Sequence, residues 1–187
     1  MKKALAILAL LAAASLSAQT APPPAAPSEV AVLETSLGTM VFQLFEKDAP
    51  KTVANFKALA REGFYDGKPF YRVVAGHVIQ TGDGGESGRP KVPDEFNSHP
   101  HVAGALGLAH SAEPDSGNTE IYVCLAPRPH LDGRFTVFGQ VIEGMDVLEK
   151  IGAVPVNEKF LEGGVAFHEP KEPVILRKVR LETRPSP

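Results

Sequence analysis

Cysteine is almost missing from this chain: Cys124 is the only one among 187 residues. An intramolecular disulfide is therefore impossible, even in an oxidising compartment. Cys124 lies within IYVCLA, a context that suits a small core residue better than a nucleophile. No block of lysines and arginines reads as a nucleic-acid footprint, and the formal net charge is −3, which sets that partner class aside. The apolar run from Ala4 to Ala14 is too short for a comfortable membrane span, and polar residues follow it directly. Internal repeats and heptads are absent, which excludes solenoids and coiled coils.

What is present is a hydrophobic content of 43%, in a chain long enough for one domain with a sizeable core. The first 18 residues combine Lys2 and Lys3, the apolar run and then small residues, the layout of a cleaved secretory signal. Cleavage after Ala18 is expected; a buried N-terminal helix fits these flanks less well. Loss of Lys2 and Lys3 takes the net charge from −3 to −5. Residues 19–28, QTAPPPAAPS, hold four prolines in ten positions and read as an extended tether. The folded domain is expected over residues 29–183, with 184–187 as a tail.

Short strands dominate the remainder. Val30–Ser36 and Thr39–Leu44 alternate and meet at Ser36-Leu37-Gly38, a tight hairpin signal. Pro50 opens a helix to about Glu62, with Asp48 just upstream and Gly63 as its stop. Val53, Phe56, Leu59 and Ala60 give it one apolar face. Further strands fit Phe70–Val74, Val78–Thr81, Ala103–Ala109, Glu120–Leu125 and Phe135–Ile142, and a second helix fits Met145–Ile151. In Val174–Glu182 the alternation changes phase, which predicts a bulge. The pattern is that of an all-β barrel or sandwich with helical caps.

Residues 70–84, FYRVVAGHVIQTGDG, place a permanent cation, Arg72, inside an aromatic and β-branched run. An arginine there either snorkels to solvent, pairs with a carboxylate or has a task. This stretch resembles the part of the cyclophilins in which an aromatic residue precedes the catalytic arginine and Gln-x-Gly-Asp follows. APKTVANFKALAREGFYDG, GALGLAH, TEIYVCL and HLDGRFTVFGQVIEGMDVLEKI are similar to further cyclophilin segments, in the same order, from about Val30 to Leu181.

The resemblance implies a closed eight-stranded antiparallel β-barrel with two α-helices, and peptidyl-prolyl cis–trans isomerase activity in a groove on its outside. X–Pro rotation faces a barrier of roughly 18–20 kcal/mol, and uncatalysed it takes tens of seconds or more. Twisting the bond returns the lone pair to the proline nitrogen. A guanidinium donating to that nitrogen binds the twisted state better than either planar one. Carried over residue by residue, Arg72 is the catalytic donor and Gln80 binds the substrate backbone. Ala109 and His110 fall on the segment that holds the peptide. Tyr122, Leu131 and Phe135 fall on the proline pocket, with His130 where many members have tryptophan.

His77 and Val78 stand where phenylalanine and methionine are usual. Glu120 replaces a glutamine, and a direct Glu120–Arg72 ion pair is expected to hold the donor. Binding of proline segments with little or no catalysis is the alternative reading that these exchanges keep alive. His77, His110, His130 and Glu120 also raise a zinc site, although their order matches no metal motif; no metal or other cofactor is expected. His99, His101 and His168 read as surface residues. The expected partners are proline-containing segments of unfolded or folding proteins, met in the periplasm or outside the cell. Neither nucleic acid nor, once the signal is removed, a membrane is expected as a partner, and the chain is expected to act as a monomer.

Overall fold

The computed structural model describes residues 27–83, 88–160 and 166–185; the expected signal and most of the tether lie outside them. The chain opens with β1 (Ser28–Thr35) and β2 (Gly38–Leu44), joined by the two residues Ser36 and Leu37. The Thr35 hydroxyl closes that turn by donating to the Gly38 carbonyl at 2.7 Å.

Helix α1 (Pro50–Arg61) follows. Its apolar face buries Val53, Phe56, Leu59 and Ala60, as the spacing predicts. Asp48 does not cap it. Glu95, far along the chain, takes the backbone N–H groups of Lys51 and Thr52 at 3.0 and 2.8 Å, placing a carboxylate on the positive end of the helix. At the other end Gly63 adopts φ +69°. Its N–H donates to Ala60 and that of Phe64 to Leu59, the paired bonds of a Schellman stop.

Next come β3 (Lys68–Pro69), β4 (Arg72–Val74), β5 (Val78–Thr81), β6 (Ala105–Leu108) and β7 (Ile121–Cys124). A short 3-10 helix (Pro129–Leu131), β8 (Thr136–Glu143) and α2 (Met145–Gly152) lead to β9 (Val156–Phe160), β10 (Ala166–Pro170) and β11 (Ile175–Arg184).

Nine strands form one antiparallel sheet in the order β3-β11-β1-β2-β8-β6-β7-β5-β4. Its two edge strands are neighbours in the chain, separated only by Phe70 and Tyr71. Three Cα steps reach about 11 Å, whereas eight flat inter-strand spacings would put the edges about 38 Å apart. The sheet must therefore curl until its edges come close. This is a mostly β fold with two helices, a curled sheet whose ladder does not join β3 to β4. Of the expected strand Phe70–Val74 only Arg72–Val74 forms, because the chain changes partner at Phe70 and Tyr71: β3, just before them, pairs with β11 and β4, just after, with β5.

Period-two alternation sorts the side chains of the curled sheet. Ile79, Ile121, Val123, Leu106 and Phe138 point inward to the main core with Phe42 and the α1 face. Val78, Tyr122, Cys124, Ala105 and Val137 form a second cluster on the opposite face. In β11 the phase shift is a bulge: Thr35 pairs with Leu176 and Glu34 with Lys178, leaving Arg177 unpaired. Two strands were not legible. β9 and β10 make a separate hairpin, polar at Asn157, Glu158, Lys159, His168 and Glu169 and stitched by Lys159–Glu169 and His168–Glu158 contacts.

Candidate active site

The bend Ala75-Gly76-His77 is closed by the His77 N–H donating to the Val74 carbonyl at 2.8 Å, with Gly76 at φ +64°. It folds β5 back on β4 so that Arg72 pairs with Gln80, and Gln80 pairs in turn with Tyr122 on β7. Three outward-facing positions of adjacent strands thereby line up across the outer face.

They border a groove of about 240 Å³. Arg72 and Gln80 form one side, with Ala109 and His110 beside them. His77, Val78, Tyr122, Leu131 and Phe135 supply its ring-bearing and apolar remainder. Nine of the eleven residues proposed from the sequence thus line one depression. The other two border it. His130, exposed on the 3-10 helix, stacks on His77 with ring centroids 5.9 Å apart. Glu120 lines an adjoining depression with Lys91 and His110.

Arg72 is half-buried on an edge strand. Its Nη1 donates to Gln80 Oε1 at 3.0 Å, and its other donors have no partner among the described residues. The Gln80 Nε2 donates onward to Glu120 Oε2 at 2.9 Å. The expected direct Glu120–Arg72 ion pair is not formed, because the Gln80 amide stands between the two and serves both. Burial, more than any neighbour, lowers the Arg72 pKa, with Tyr71 and Glu120 opposing it. Tyr71 stacks on Phe167 of the β9–β10 hairpin, and burial together with the Glu120 charge pushes its phenol well up.

Burial, then the positive charges of Arg128, Arg72 and His130, lowers the His77 pKa, so the groove carries a neutral imidazole. His110 stacks on Phe135 at 4.3 Å and sets its two nitrogens on the carbonyls of Ser111 and Arg134, at 2.7 and 2.9 Å. No group of three or more metal-ligating side chains converges among the described residues. Burial pushes the Cys124 thiol up to about 12, so this buried residue of the second cluster is no nucleophile.

The sequence reading misplaced His101. Far from lying at the surface, it is 2% exposed, with Nε2 2.8 Å from the Tyr122 hydroxyl and Nδ1 2.7 Å from Asp132 Oδ1. One signal pointed to such a partner: a tyrosine in a strand of otherwise apolar residues must bond its hydroxyl when buried.

Residues 30–181 match the family described as cyclophilin type peptidyl-prolyl cis-trans isomerase/CLD. The chain is 47% identical to a peptidyl-prolyl cis-trans isomerase of Synechococcus elongatus over 114 residues, covering 59% of this chain and 78% of that one. It is 36% identical to a probable peptidyl-prolyl cis-trans isomerase of Brucella suis over 188 residues, covering 88% and 95%. Its fold is that of a Cryptosporidium parvum cyclophilin crystallised in the presence of the dipeptide Ala-Pro, with TM-score 0.74, 24% identity and coverage of 83% and 99%. The order of motifs, the curled sheet and the matched relatives converge: the chain belongs to the cyclophilin-type peptidyl-prolyl cis–trans isomerases.

Proposed function

We propose that this isomerase works by transition-state binding from Arg72, on proline-containing segments of exported proteins. The observation that carries the reading is the guanidinium itself, held by Gln80 at the rim of a groove that also offers Val78, Tyr122, Leu131 and Phe135, with donors to spare. The proline ring lies on Tyr122 and Val78 between Leu131 and Phe135. His77 closes the pocket as a neutral ring that can stack on it. Ala109 and His110 hold the peptide in extended form, and Gln80 orients both Arg72 and the substrate backbone.

As the bond twists, the proline nitrogen gains a lone pair that a planar amide does not offer. A donor pre-aimed at that position stabilises the twisted state selectively. The half-buried setting strengthens the bond, because fewer waters compete for either partner. No nucleophile, proton transfer or cofactor enters this scheme. Action outside the cytoplasm, as a monomer, is part of the proposal; residues 1–18 support the export, with two lysines, an apolar run and small residues in turn. A closed barrel is the corresponding reading of the sheet, since the chain already joins its two edges.

The test is a protease-coupled isomerisation assay on an X–Pro peptide, comparing the parent with Arg72→Ala. The parent accelerates the slow phase and the variant loses most of that acceleration. Equal acceleration by both would unseat Arg72.

A further inference from the structure

His101 sits in the segment leading into β6 and belongs to no strand. Its side chain bridges two walls of the groove. On one side Nδ1 and the backbone N–H both point at Asp132 Oδ1, at 2.7 and 2.8 Å. On the other, Nε2 faces the Tyr122 hydroxyl at 2.8 Å. Its carbonyl accepts from the Arg128 N–H at 2.7 Å. Arg128 precedes the 3-10 helix and Asp132 follows it, so one buried residue fastens both ends of the Leu131 wall and the groove floor.

The proton positions follow from chemistry. An ionised carboxylate only accepts, so Nδ1 carries a hydrogen; in the neutral ring Nε2 then keeps the lone pair. The Tyr122 hydroxyl therefore donates to Nε2. Bonds from His101, its backbone N–H foremost, hold Asp132 below the usual carboxylate range, and burial pushes the Tyr122 phenol well up. In that tautomer the chain runs from carboxylate through imidazole to phenol, with each inward-facing polar atom satisfied. Gly107 makes the arrangement possible, since a Cβ there would overlap the Tyr122 ring and hydroxyl.

We infer that His101 and Asp132 are positioning residues of the isomerase: acting through the Tyr122 hydroxyl and the two ends of the 3-10 helix, they lock floor and wall together so that a bound proline keeps its nitrogen in line with Arg72. Isomerisation demands that the ring stay still while the preceding carbonyl swings. A floor free to shift lets the ring follow the swing, and misalignments near 1 Å can cost about 10²-fold. The inference rests on the groove being the proline site.

Three measurements test it. In the parent protein, imidazole ¹⁵N shifts should show His101 as the Nδ1–H tautomer with a slowly exchanging proton; a proton resting on Nε2 overturns the chain. In the peptide assay, His101→Leu and Tyr122→Phe should each lower kcat by about tenfold or more, with KM within about twofold. Their losses should not add in the double variant, and additive losses overturn the coupling, as does full kcat in either single variant. His101→Gln, which returns an acceptor near the Nε2 position, should keep more kcat than His101→Leu, and equal loss counts against the inference. If His101→Leu fails to fold, the tautomer, Tyr122→Phe and His101→Gln still decide the matter. Arg72→Ala serves as the control. Its full activity beside non-additive losses would remove Arg72 from the mechanism and overturn the alignment on Arg72, leaving only the coupling of floor and wall, whereas additive losses beside an inactive Arg72→Ala would overturn that coupling and leave Arg72 in its role.

Discussion

Arg72 and Gln80 face each other across β4 and β5, and Nη1 of the arginine donates to Oε1 of the glutamine at 3.0 Å. The contact spends one guanidinium N–H of five on position and leaves the rest for a ligand. An edge strand would otherwise leave a long side chain free to sample many rotamers, and that freedom would be lost on binding at a cost of up to about 2 kcal/mol.

Arg72→Lys should restore little of what Arg72→Ala loses. An ammonium is a compact, strongly hydrated point charge and lacks the planar fork that bonds Gln80 and substrate together. Both variants are expected to fall about 10²-fold in kcat/KM. Thermal unfolding should move little, since Arg72 makes only one side-chain bond in the described structure. Activity of Arg72→Lys near that of the parent would show that charge alone suffices.

Gly107→Ala tests the close approach beneath the floor. The backbone of Gly107 lies in β6 in an ordinary strand conformation, so the only obstacle is space: an added Cβ would sit 2.7 Å from Tyr122 Cε2 and closer still to the ring tip. The ring must tilt and pull its hydroxyl from His101. Overpacking of this kind costs about 1–3 kcal/mol, and kcat/KM should drop with it. A urea midpoint and a turnover rate both equal to the parent's would mean the floor yields freely.

His77 gives the groove a pH limb. Its pKa lies below the ordinary 6.5, so the folded chain binds that proton less readily than the unfolded one. Stability therefore declines as pH falls below about 6.5, and the loss is complete once the pH passes the folded value. Over the same fall, kcat/KM should drop as an imidazolium enters an apolar pocket already flanked by Arg72 and Arg128. His77→Phe should flatten this acid limb; an unchanged limb would assign it to another group.

The sequence carried the elements whose pattern is strong and local. α1 announced itself through Pro50, a helical apolar stripe and Gly63, and the β11 bulge through a broken alternation within Val174–Glu182, which the register puts at Arg177. The groove residues were legible because ordered motifs fixed them together. What stayed hidden depends on contacts between distant segments. The cap on α1 comes from Glu95, 43 positions beyond Thr52, and no local signal links them. His101 looked like a loop histidine because burial of a loop residue is decided by what packs over it. The Glu120 error was one of geometry: residue types and proximity were right, but the cross-strand register inserted Gln80 between the charges.

That insertion defines what Glu120 does. A guanidinium only donates and a carboxylate only accepts, so the two ends of the Gln80 amide have one consistent orientation: Oε1 to Arg72 and Nε2 to Glu120. Glu120 thus holds the donor indirectly, by fixing the polarity of its holder. Glu120→Gln still offers an oxygen to Nε2, and kcat/KM should stay within about twofold. In Glu120→Leu the Gln80 amide loses that anchor and can flip its NH₂ toward Arg72, where two donors repel. Loss of one hydrogen bond to a charged group is worth about 1.5–3 kcal/mol, enough for a tenfold fall in kcat/KM, while the fold should survive a change at a half-exposed position. Gln80→Glu should separate positioning from charge: it bonds Arg72 directly but sets a carboxylate against Glu120, so activity should fall, and Gln80→Glu combined with Glu120→Gln should recover part of it. Full turnover in Glu120→Leu would show that Gln80 needs no anchor, and no recovery in the double variant would show that the amide itself, rather than an aligned acceptor, is what Arg72 requires.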